Sequence, residues 1–332
     1  CREIFRDAGI LFPDGFENLR DQNDMADALV ELAVINPDIK RAVVKLNNGF
    51  SGEGNALFYY EGTEGFDAIE RRKKILAALP SLKFEAAFEH WEGFHQKYQE
   101  MGGVVEAFVE GERKESPSSQ CRVNAAGRAV PISTHDQVLG GATGQVFLGC
   151  TFPADITYRL DIQAAGMQVA EALGKRGVLG RFATDFVSVL QEDGSFKHYA
   201  IEVNLRKGGT THPFSTLRFL TDGSYNSDTG EFYAQNDQPK SYFASDTLQS
   251  EYFKGLLPED LIDIALYHDL HFHRNTERGT VFHLMGALSE FGKLGLLCIG
   301  DNLQQAKFLY KKAASVLDKA ARKNHAKIGL DH

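Results

Sequence analysis

One segment, Ala200–Pro213 (AIEVNLRKGGTTHP), constrains the fold more than any other part of the chain. It follows another run rich in apolar residues, and the dipeptide Asp193-Gly194 separates the two runs. Because glycine adopts the positive φ angle of a tight turn at little cost, the sequence predicts a β-hairpin here. A two-residue turn would place Asp185 directly opposite Glu202 on one face of the hairpin.

The predicted hairpin therefore brings two carboxylates together, and it adds the amide of Asn204 two residues further along the same face. Like charges directly opposite each other destabilise a sheet. A divalent cation such as Mg²⁺ neutralises them, because it takes carboxylate oxygens, waters and phosphates as ligands. Two alternatives stay open at this point: a solvated strand face, or a register slipped by one residue through a longer turn.

Composition limits the classes of function. A chain of 332 residues with 43% hydrophobic and 11% aromatic residues can build two domains or one large two-lobed domain. Its net charge of −9 argues against nucleic acid or an anionic membrane as a partner, so an anionic substrate would need a local basic pocket. The apolar runs are too short to span a bilayer.

Four widely separated cysteines fit neither a zinc knuckle nor a small disulfide framework, and they indicate a reducing compartment, here the cytoplasm. The chain begins at Cys1 without methionine and without the pattern of a signal peptide. We therefore expect it to be a piece of a longer protein.

An upstream hairpin is the first candidate for binding an anion. The apolar run Arg41–Leu46 carries Lys45, and a loop with glycines at 49, 52 and 54 follows it. Backbone N–H groups of such a loop can wrap an anion, and a buried lysine needs an anionic partner. An ordinary surface hairpin is the alternative. The loop is not a Walker P-loop, because the lysine precedes the glycines.

The predicted strand Gly103–Val109 is a second candidate, because it runs into acidic residues that include Glu106 and Glu110. It is either an edge strand with charged side chains or a hinge whose backbone meets a base while an acid holds ribose hydroxyls.

The histidines and cysteines give two weaker interpretations. His271 and His273 share a face if their segment is extended, and His268 and His283 are near in sequence, but no acid or cysteine accompanies them at a recognisable ligand spacing. The sequence therefore does not favour a metal site there.

Cys150 and His135 could form a nucleophile and its base, but no third group orients them. His135 also opens a long polar, glycine-rich stretch that we predict to be a functional loop.

The order of these features resembles the ATP-grasp superfamily: the strand with Lys45, the glycine hairpin, VVEAFVEG, then GRFATDF and EVNLR. The blocks TFPADITYRLDIQAAG and IEVNLRKGGTTHPF are most similar to the pheganomycin-type peptide ligases. This resemblance implies an α+β ATP-grasp fold with two lobes, each an antiparallel sheet plus helices, and with the nucleotide between them. It implies a linker at 1–22 from an N-terminal domain, a small lobe at 23–110 and a large lobe at 111–332.

The resemblance also implies roles for individual residues. Asp185, Glu202 and Asn204 would carry Mg²⁺, with Mn²⁺ as the alternative ion, and Arg206 would face the transferred phosphoryl group or an acyl phosphate. The residues implied in binding ATP are Lys45, Gly49, Ser51, Gly52, Gly54, Glu106, Ala107, Phe108, Val109 and Glu110. The family usually has a second phosphate-binding lysine and a further domain upstream of the segment that matches Cys1–Pro13.

We therefore expect an ATP-dependent carboxylate–amine (peptide) ligase that acts through an acyl phosphate and releases ADP and phosphate. Its substrates would be a small-molecule or peptide carboxylate and amine, and His135–Gly149 and Lys207–His212 are candidates for contacting them. The alternative is an ATP-binding regulatory or interaction module with the same fold and no turnover. The oligomeric state stays open.

Overall fold

The computed structural model describes residues 1–49, 54–140 and 146–328, with side chains up to residue 323. The chain divides into two compact units. The first unit comprises Cys1–Lys114, Leu139–Phe147 and Val187–Ile201. The second comprises Glu115–Val138, Leu148–Phe186 and Glu202–His332.

The first unit is built on a five-stranded antiparallel sheet with the strand order β1-β5-β2-β3-β4. Residues 1–22, predicted as a linker, contain α1 and β1, and β1 pairs with β5. The elements are α1 (Arg2–Ala8), β1 (Gly15–Leu19), α2 (Gln22–Ile35), β2 (Arg41–Leu46), β3 (Asn55–Tyr59), α3 (Ala68–Ala78), β4 (Lys83–Phe84), α4 (Trp91–Met101) and β5 (Gly103–Ala107).

The core of this unit lies on one face of its sheet. Val44 and Val105 face each other in the β2–β5 pair, and both are fully buried. They pack with Leu29 of α2, Ile75 of α3 and Tyr98 of α4. Side chains alternate along a strand, so Lys45 and Glu106 lie on the opposite face of the same strands. The sheet thus separates an apolar face from a charged one.

A larger, nine-stranded sheet has the strand order β11-β10-β7-β8-β9-β14-β16-β15, with β6 off this path. Its strands are β6 (Lys114–Glu115), β7 (Pro117–Val123), β8 (Ala129–Gly140), β9 (Val146–Phe152), β10 (Gly180–Leu190), β11 (Phe196–Asn204), β14 (Ser241–Gln249), β15 (Gly279–His283) and β16 (Lys293–Gly300). The same part of the chain forms the helices α5 (Arg159–Lys175), α6 (Thr211–Thr221), α7 (Pro258–Tyr267), α8 (Leu288–Phe291) and α9 (Leu303–Ile328). The strands β12 (Ser224–Asn226) and β13 (Glu231–Tyr233) pair with each other in a separate two-stranded sheet.

Two helices cover parts of this sheet. Helix α5 approaches β7 so closely that a Cβ atom at Gly166 would lie 2.3 Å from Ser119 Oγ, so glycine is required there. Helix α9 packs on β16, where Leu296 and Cys298 meet Ala313 and Leu317 in a buried cluster. No helix in the described residues is long and apolar enough to cross a membrane.

The predicted functional loop from His135 to Gly149 is wrong where the structure describes it. Its first residues belong to β8 and its last to β9, and residues 141–145 lie outside the described chain. The glycine and polar content suggested a loop, but apolar residues such as Val138 and Leu148 are enough to support strands.

His135 is a core residue rather than a catalytic base. It is fully buried, and its Nε2 lies 2.5 Å from the hydroxyl of Tyr242. The rings of Phe152 and Phe214 pack around it. Cys150 is also fully buried, and burial raises the pKa of its thiol, so the reactive thiolate is disfavoured. The nucleophile–base interpretation of this pair is therefore wrong.

Burial lowers the pKa of His135 to about 3 from its ordinary value of 6.5. Below pH 6.5 the unfolded chain binds a proton at this residue that the folded chain does not, so acid should destabilise the fold. Between pH 7 and 5 we expect this residue to cost about 2 kcal/mol of unfolding free energy. In His135→Gln, urea unfolding at the two pH values should show a correspondingly smaller loss.

Other buried groups also titrate, so the informative quantity is the difference in pH dependence of unfolding between the wild type and His135→Gln. His268→Gln, a change at an exposed histidine, is the matched control and should keep the wild-type pH dependence. An unchanged pH dependence in His135→Gln would contradict the assignment of His135 as a neutral core residue.

Candidate active site

Strands β10 and β11 form the predicted hairpin, but the predicted two-residue turn is wrong. Gln191 N donates to Ser195 O at 2.8 Å, so three residues lie inside the turn. Gly194 has a φ of 83°, the positive value that the sequence required. Asp193 Oδ1 accepts hydrogen bonds from the backbone N–H of Ser195 at 2.9 Å and from its hydroxyl at 2.6 Å. These bonds stabilise the longer turn, which sequence inspection did not select.

The longer turn changes the register beside it. Ser188 Oγ lies 2.6 Å from His198 Nδ1, as the longer turn requires. Extended without change, this register would put Asp185 and Asn204 on opposite faces. Asn204 Nδ2 nevertheless donates to Asp185 Oδ2 at 2.9 Å, so the two side chains meet. Asp185 and Asn204 therefore lie together as predicted, although the turn length from which this was predicted is wrong.

Electrostatics link four of the predicted residues around Asp185. Its carboxyl group is enclosed although the residue keeps some exposure, and this burial raises its pKa to about 7. Hydrogen bonds from Ser118 and Asn204 oppose the rise, the negative charge of Glu202 adds to it, and the positive charge of Arg206 lowers it. The positive charge and hydrogen bonds around Asp185 are therefore too weak to offset its burial and the nearby Glu202, so its ionised form is disfavoured.

The donor set suits a hard divalent cation. Two carboxylates and a side-chain amide offer oxygen ligands, which is the chemistry that Mg²⁺ and Mn²⁺ prefer. Glu202 is exposed, so a ligand can approach the group from solvent. A rotation of the Asn204 amide would present its oxygen instead of its nitrogen.

The segment after the hairpin leads directly into α6. Arg206 and Lys207 are exposed, and Thr211 Oγ1 accepts a hydrogen bond from Gly208 N at 3.1 Å at the start of the helix. The ring of His212 lies 4.7 Å from the ring of His283. Partial burial and the neighbouring His212 lower the pKa of His283. His283 is thus a neighbour of the predicted substrate segment that the sequence did not place there.

In the first unit, Lys45 and Glu106 form a buried ion pair, with 2.6 Å between Nζ and Oε2. Arg2 shares the same carboxylate, at 3.0 Å from Oε1. The Glu106 side chain is only 4% exposed. Burial acts to raise the pKa of this carboxyl, but the two cations outweigh that effect and hold it below its ordinary value.

Arg2 is the main residue that sequence inspection missed. Its guanidinium also donates to the carbonyl of Pro13 at 2.7 Å and of Gly15 at 2.8 Å, and it pairs with Glu17 at 2.8 Å. Arg6 also pairs with Glu17. Three cations and two carboxylates leave this cluster with one positive charge, which favours a nearby anion.

The predicted hinge begins where β5 ends, at Ala107, two residues earlier than the sequence suggested. The ring of Phe108 contacts Arg41 and Lys114, whose charged groups lie 3.9 and 4.2 Å from its centroid. Arg41 also pairs with Glu110, at 2.9 Å and 2.6 Å from its two oxygens. The candidate ribose acid therefore has a cationic partner on β2.

The ends of the glycine loop come very close together. A Cβ atom at Gly54 would lie 2.7 Å from the Cα of Gly49, and Leu46 N donates to Gly54 O at 3.0 Å. Glycine is therefore required at the base of this loop. The predicted phosphate contacts Ser51 and Gly52 lie outside the described residues.

Comparison with solved structures identifies the architecture. The chain aligns with the ADP complex of an N5-carboxyaminoimidazole ribonucleotide synthetase at a TM-score of 0.53 and 16% identity, covering 96% of this chain and 70% of that one. It aligns with the biotin carboxylase domain of Hydrogenobacter thermophilus 2-oxoglutarate carboxylase, solved with MgADP and bicarbonate, at 0.60 and 12% identity, covering 94% and 63%. This chain has the ATP-grasp fold. The predicted fold class and resemblance are confirmed.

Sequence comparisons agree with this architecture. Residues 66–228 match the model of the family described as IQCH-like, ATP-grasp, and residues 260–313 match the PGM1 C-terminal domain. The chain is 29% identical to the L-propargylglycine–L-glutamate ligase of Streptantibioticus cattleyicolor over 95% of its own length. The aligned part covers 62% of the length of that ligase.

The buried ion pair gives a stability prediction. Glu106→Gln leaves Arg2 and Lys45 without their shared carboxylate, and loss of one partner of a buried pair typically costs about 3–5 kcal/mol. We expect a loss of that size in urea unfolding at pH 7.

Glu110→Gln is the matched control, because the Glu110 side chain is 46% exposed and its pair with Arg41 should contribute about 1 kcal/mol or less. Equal losses in the two variants would contradict the assignment of Glu106 as the shared partner of two cations.

Proposed function

We propose that this chain is the ATP-binding part of a carboxylate–amine ligase. ATP would phosphorylate a carboxylate to give an acyl phosphate and ADP, and an amine would then displace the phosphate to form an amide. The observation that carries the proposal is Asp185: a shielded carboxyl group beside Glu202 and Asn204, with its pKa raised to about 7. Such a group is stabilised as a carboxylate by a bound cation.

Asp185, Glu202 and Asn204 would hold Mg²⁺, or Mn²⁺ in its place. When bound, the ion supplies charge neutralisation for the phosphates of ATP. One of the solved structures with this fold contains MgADP, which supports this role. The oxygen-only donor set of the three residues favours this kind of ion over zinc.

The charged face of the first unit would bind phosphate. Lys45 is held by Glu106, and the cluster with Arg2 keeps one net positive charge that an anionic phosphate can neutralise. Residues Gly49–Gly54 would close over the phosphates and exclude water, which would otherwise hydrolyse an acyl phosphate. The backbone from Glu106 to Glu110 would hold adenine and ribose.

The chemical step needs positive charge more than covalent help from the protein. A substrate carboxylate oxygen attacks the γ-phosphorus and ADP leaves. Arg206 would stabilise the charge that develops on the transferred group, and its exposure and its electrostatic effect on Asp185 support this role. The amine nitrogen then attacks the acyl carbon, phosphate leaves, and the nitrogen loses a proton.

The segment Lys207–His212 would contact the substrates, and His283 beside His212 would extend that surface. The curated relative is by name a ligase of L-propargylglycine and L-glutamate, which supports a pair of amino-acid or peptide substrates. The reduced state expected of the widely spaced cysteines supports a cytoplasmic location.

Glu202→Gln tests the metal assignment. Loss of one carboxylate ligand should lower ATP-dependent ADP release by about 100-fold or more while the urea unfolding curve stays close to that of the wild type, because Glu202 is exposed. ADP release would be measured with MgATP and pooled amino acids and peptides.

Glu192→Gln is the matched control, since it removes an exposed carboxylate from the turn of the same hairpin. It should keep wild-type turnover. Wild-type turnover in Glu202→Gln would contradict the metal assignment, and MgATP binding without amine-dependent ADP release in the wild type would favour a binding module.

A further inference from the structure

A second group of ligand-type side chains follows α7. Asp269, His271 and His273 alternate along the chain, and one ligand atom from each lies within 4.8 Å of the others. His273 Nε2 is 2.8 Å from Asp269 Oδ1, and the two imidazole centroids are 4.2 Å apart. An acid therefore accompanies these histidines, contrary to the sequence analysis. The spacing D-x-H-x-H indicates a metal site once the segment is known to be extended, because its three ligand-type side chains then lie close together.

The backbone fixes this geometry at its start. Asp269 has a φ of 54°, which turns the chain out of α7. The next residue, Leu270, is 2% exposed, and its backbone joins Ala265 and Thr280 through hydrogen bonds of 2.9 and 2.8 Å. Because Leu270 points into the core, His271, which follows it in an extended segment, points the other way.

The other end of the segment is equally constrained. His271 pairs with Thr280, and His273 pairs with Arg278 across a short turn. A Cβ atom at Gly279 would lie 2.2 Å from the carbonyl oxygen of His271, so only glycine allows this approach. The buried ammonium of Lys240 donates to the carbonyl of Thr276 at 3.2 Å and anchors the turn.

One imidazole nitrogen of this group has no protein partner among the described residues. Nδ1 of His271 is shielded from solvent and makes no hydrogen bond there, whereas Nε2 of His273 is held by the carboxylate of Asp269. Lys312 donates to the backbone carbonyl of Asp269, at 3.3 Å, and not to its carboxylate. A shielded polar atom without a hydrogen bond costs free energy, which a bound ion would recover.

We propose that Asp269, His271 and His273 bind a divalent transition metal of the zinc type. Two imidazoles and one carboxylate suit Zn²⁺ and its neighbours better than Mg²⁺. Metal–ligand bonds of about 2.0–2.1 Å in a tetrahedron place the ligands about 3.3 Å apart, a spacing that small side-chain rotations reach from this arrangement. The fourth position would be open to water or an external ligand.

The proposed metal ligands are not those of the candidate catalytic cation. Asp185 and Glu202 are on β10 and β11, near one end of the strand order of the larger sheet, whereas His271 pairs with β15 at the other end. The zinc-type ion would connect the segment after α7 to the turn that follows it, and it would stabilise this edge of the sheet.

The test is a calorimetric titration with Zn²⁺ on the chain purified without a histidine tag and stripped with a chelator. We expect one site that Asp269→Asn and His273→Gln each weaken by at least about tenfold, because loss of an outer-shell partner alone costs about 10–100-fold. Asparagine tolerates the left-handed backbone of residue 269, so the first variant should fold normally. Titration with Co²⁺ should give a visible absorption band that both variants lose.

His268→Gln is the matched control, because it removes an exposed neighbouring histidine outside the cluster, and it should bind Zn²⁺ as the wild type does. Zn²⁺ should also raise the melting temperature of the wild type but not of Asp269→Asn. Equal Zn²⁺ affinity and stoichiometry in the wild type and both variants would overturn the proposal. So would displacement of Zn²⁺ by a modest excess of Mg²⁺, because that would show an oxygen-ligand site.

Discussion

The interaction between Asp185 and Glu202 is the constraint on which the candidate site depends. A shielded carboxyl group beside a second carboxylate is stable in its charged form only if positive charge is supplied. Ser118 and Asn204 supply hydrogen bonds and Arg206 supplies a positive charge, yet the pKa of Asp185 still rises to about 7. The hairpin therefore favours a bound cation, and a cation with free coordination positions favours phosphate.

The charged face of the first unit carries an excess of positive charge, whereas the hairpin lacks enough positive charge around its carboxylates. Here a single buried carboxylate, Glu106, holds Lys45 and Arg2, and the cluster retains one positive charge when the pairs with Glu17 and Arg6 are included. One sheet face of the first unit therefore keeps cations in excess, which favours an anionic ligand there.

Local patterns predicted the two strands of the hairpin and the position of its Asp-Gly turn, because turn chemistry and alternation act over a few residues. They did not predict the extra turn residue, which depends on hydrogen bonds of the Asp193 side chain. They also missed Arg2, since its partner Glu106 is 104 residues away. Glycines hid the strand character of the segment after His135, where strand pairing in the larger sheet outweighs local preference.

The most direct measurement is a crystal structure of the chain with Mn²⁺ and a non-hydrolysable ATP analogue, using the anomalous signal of the metal. We predict a Mn²⁺ peak about 2.0–2.2 Å from carboxylate oxygens of both Asp185 and Glu202, with nucleotide phosphates as further ligands. A bound nucleotide whose metal contacts neither carboxylate would contradict the assignment of Asp185 and Glu202 as metal ligands.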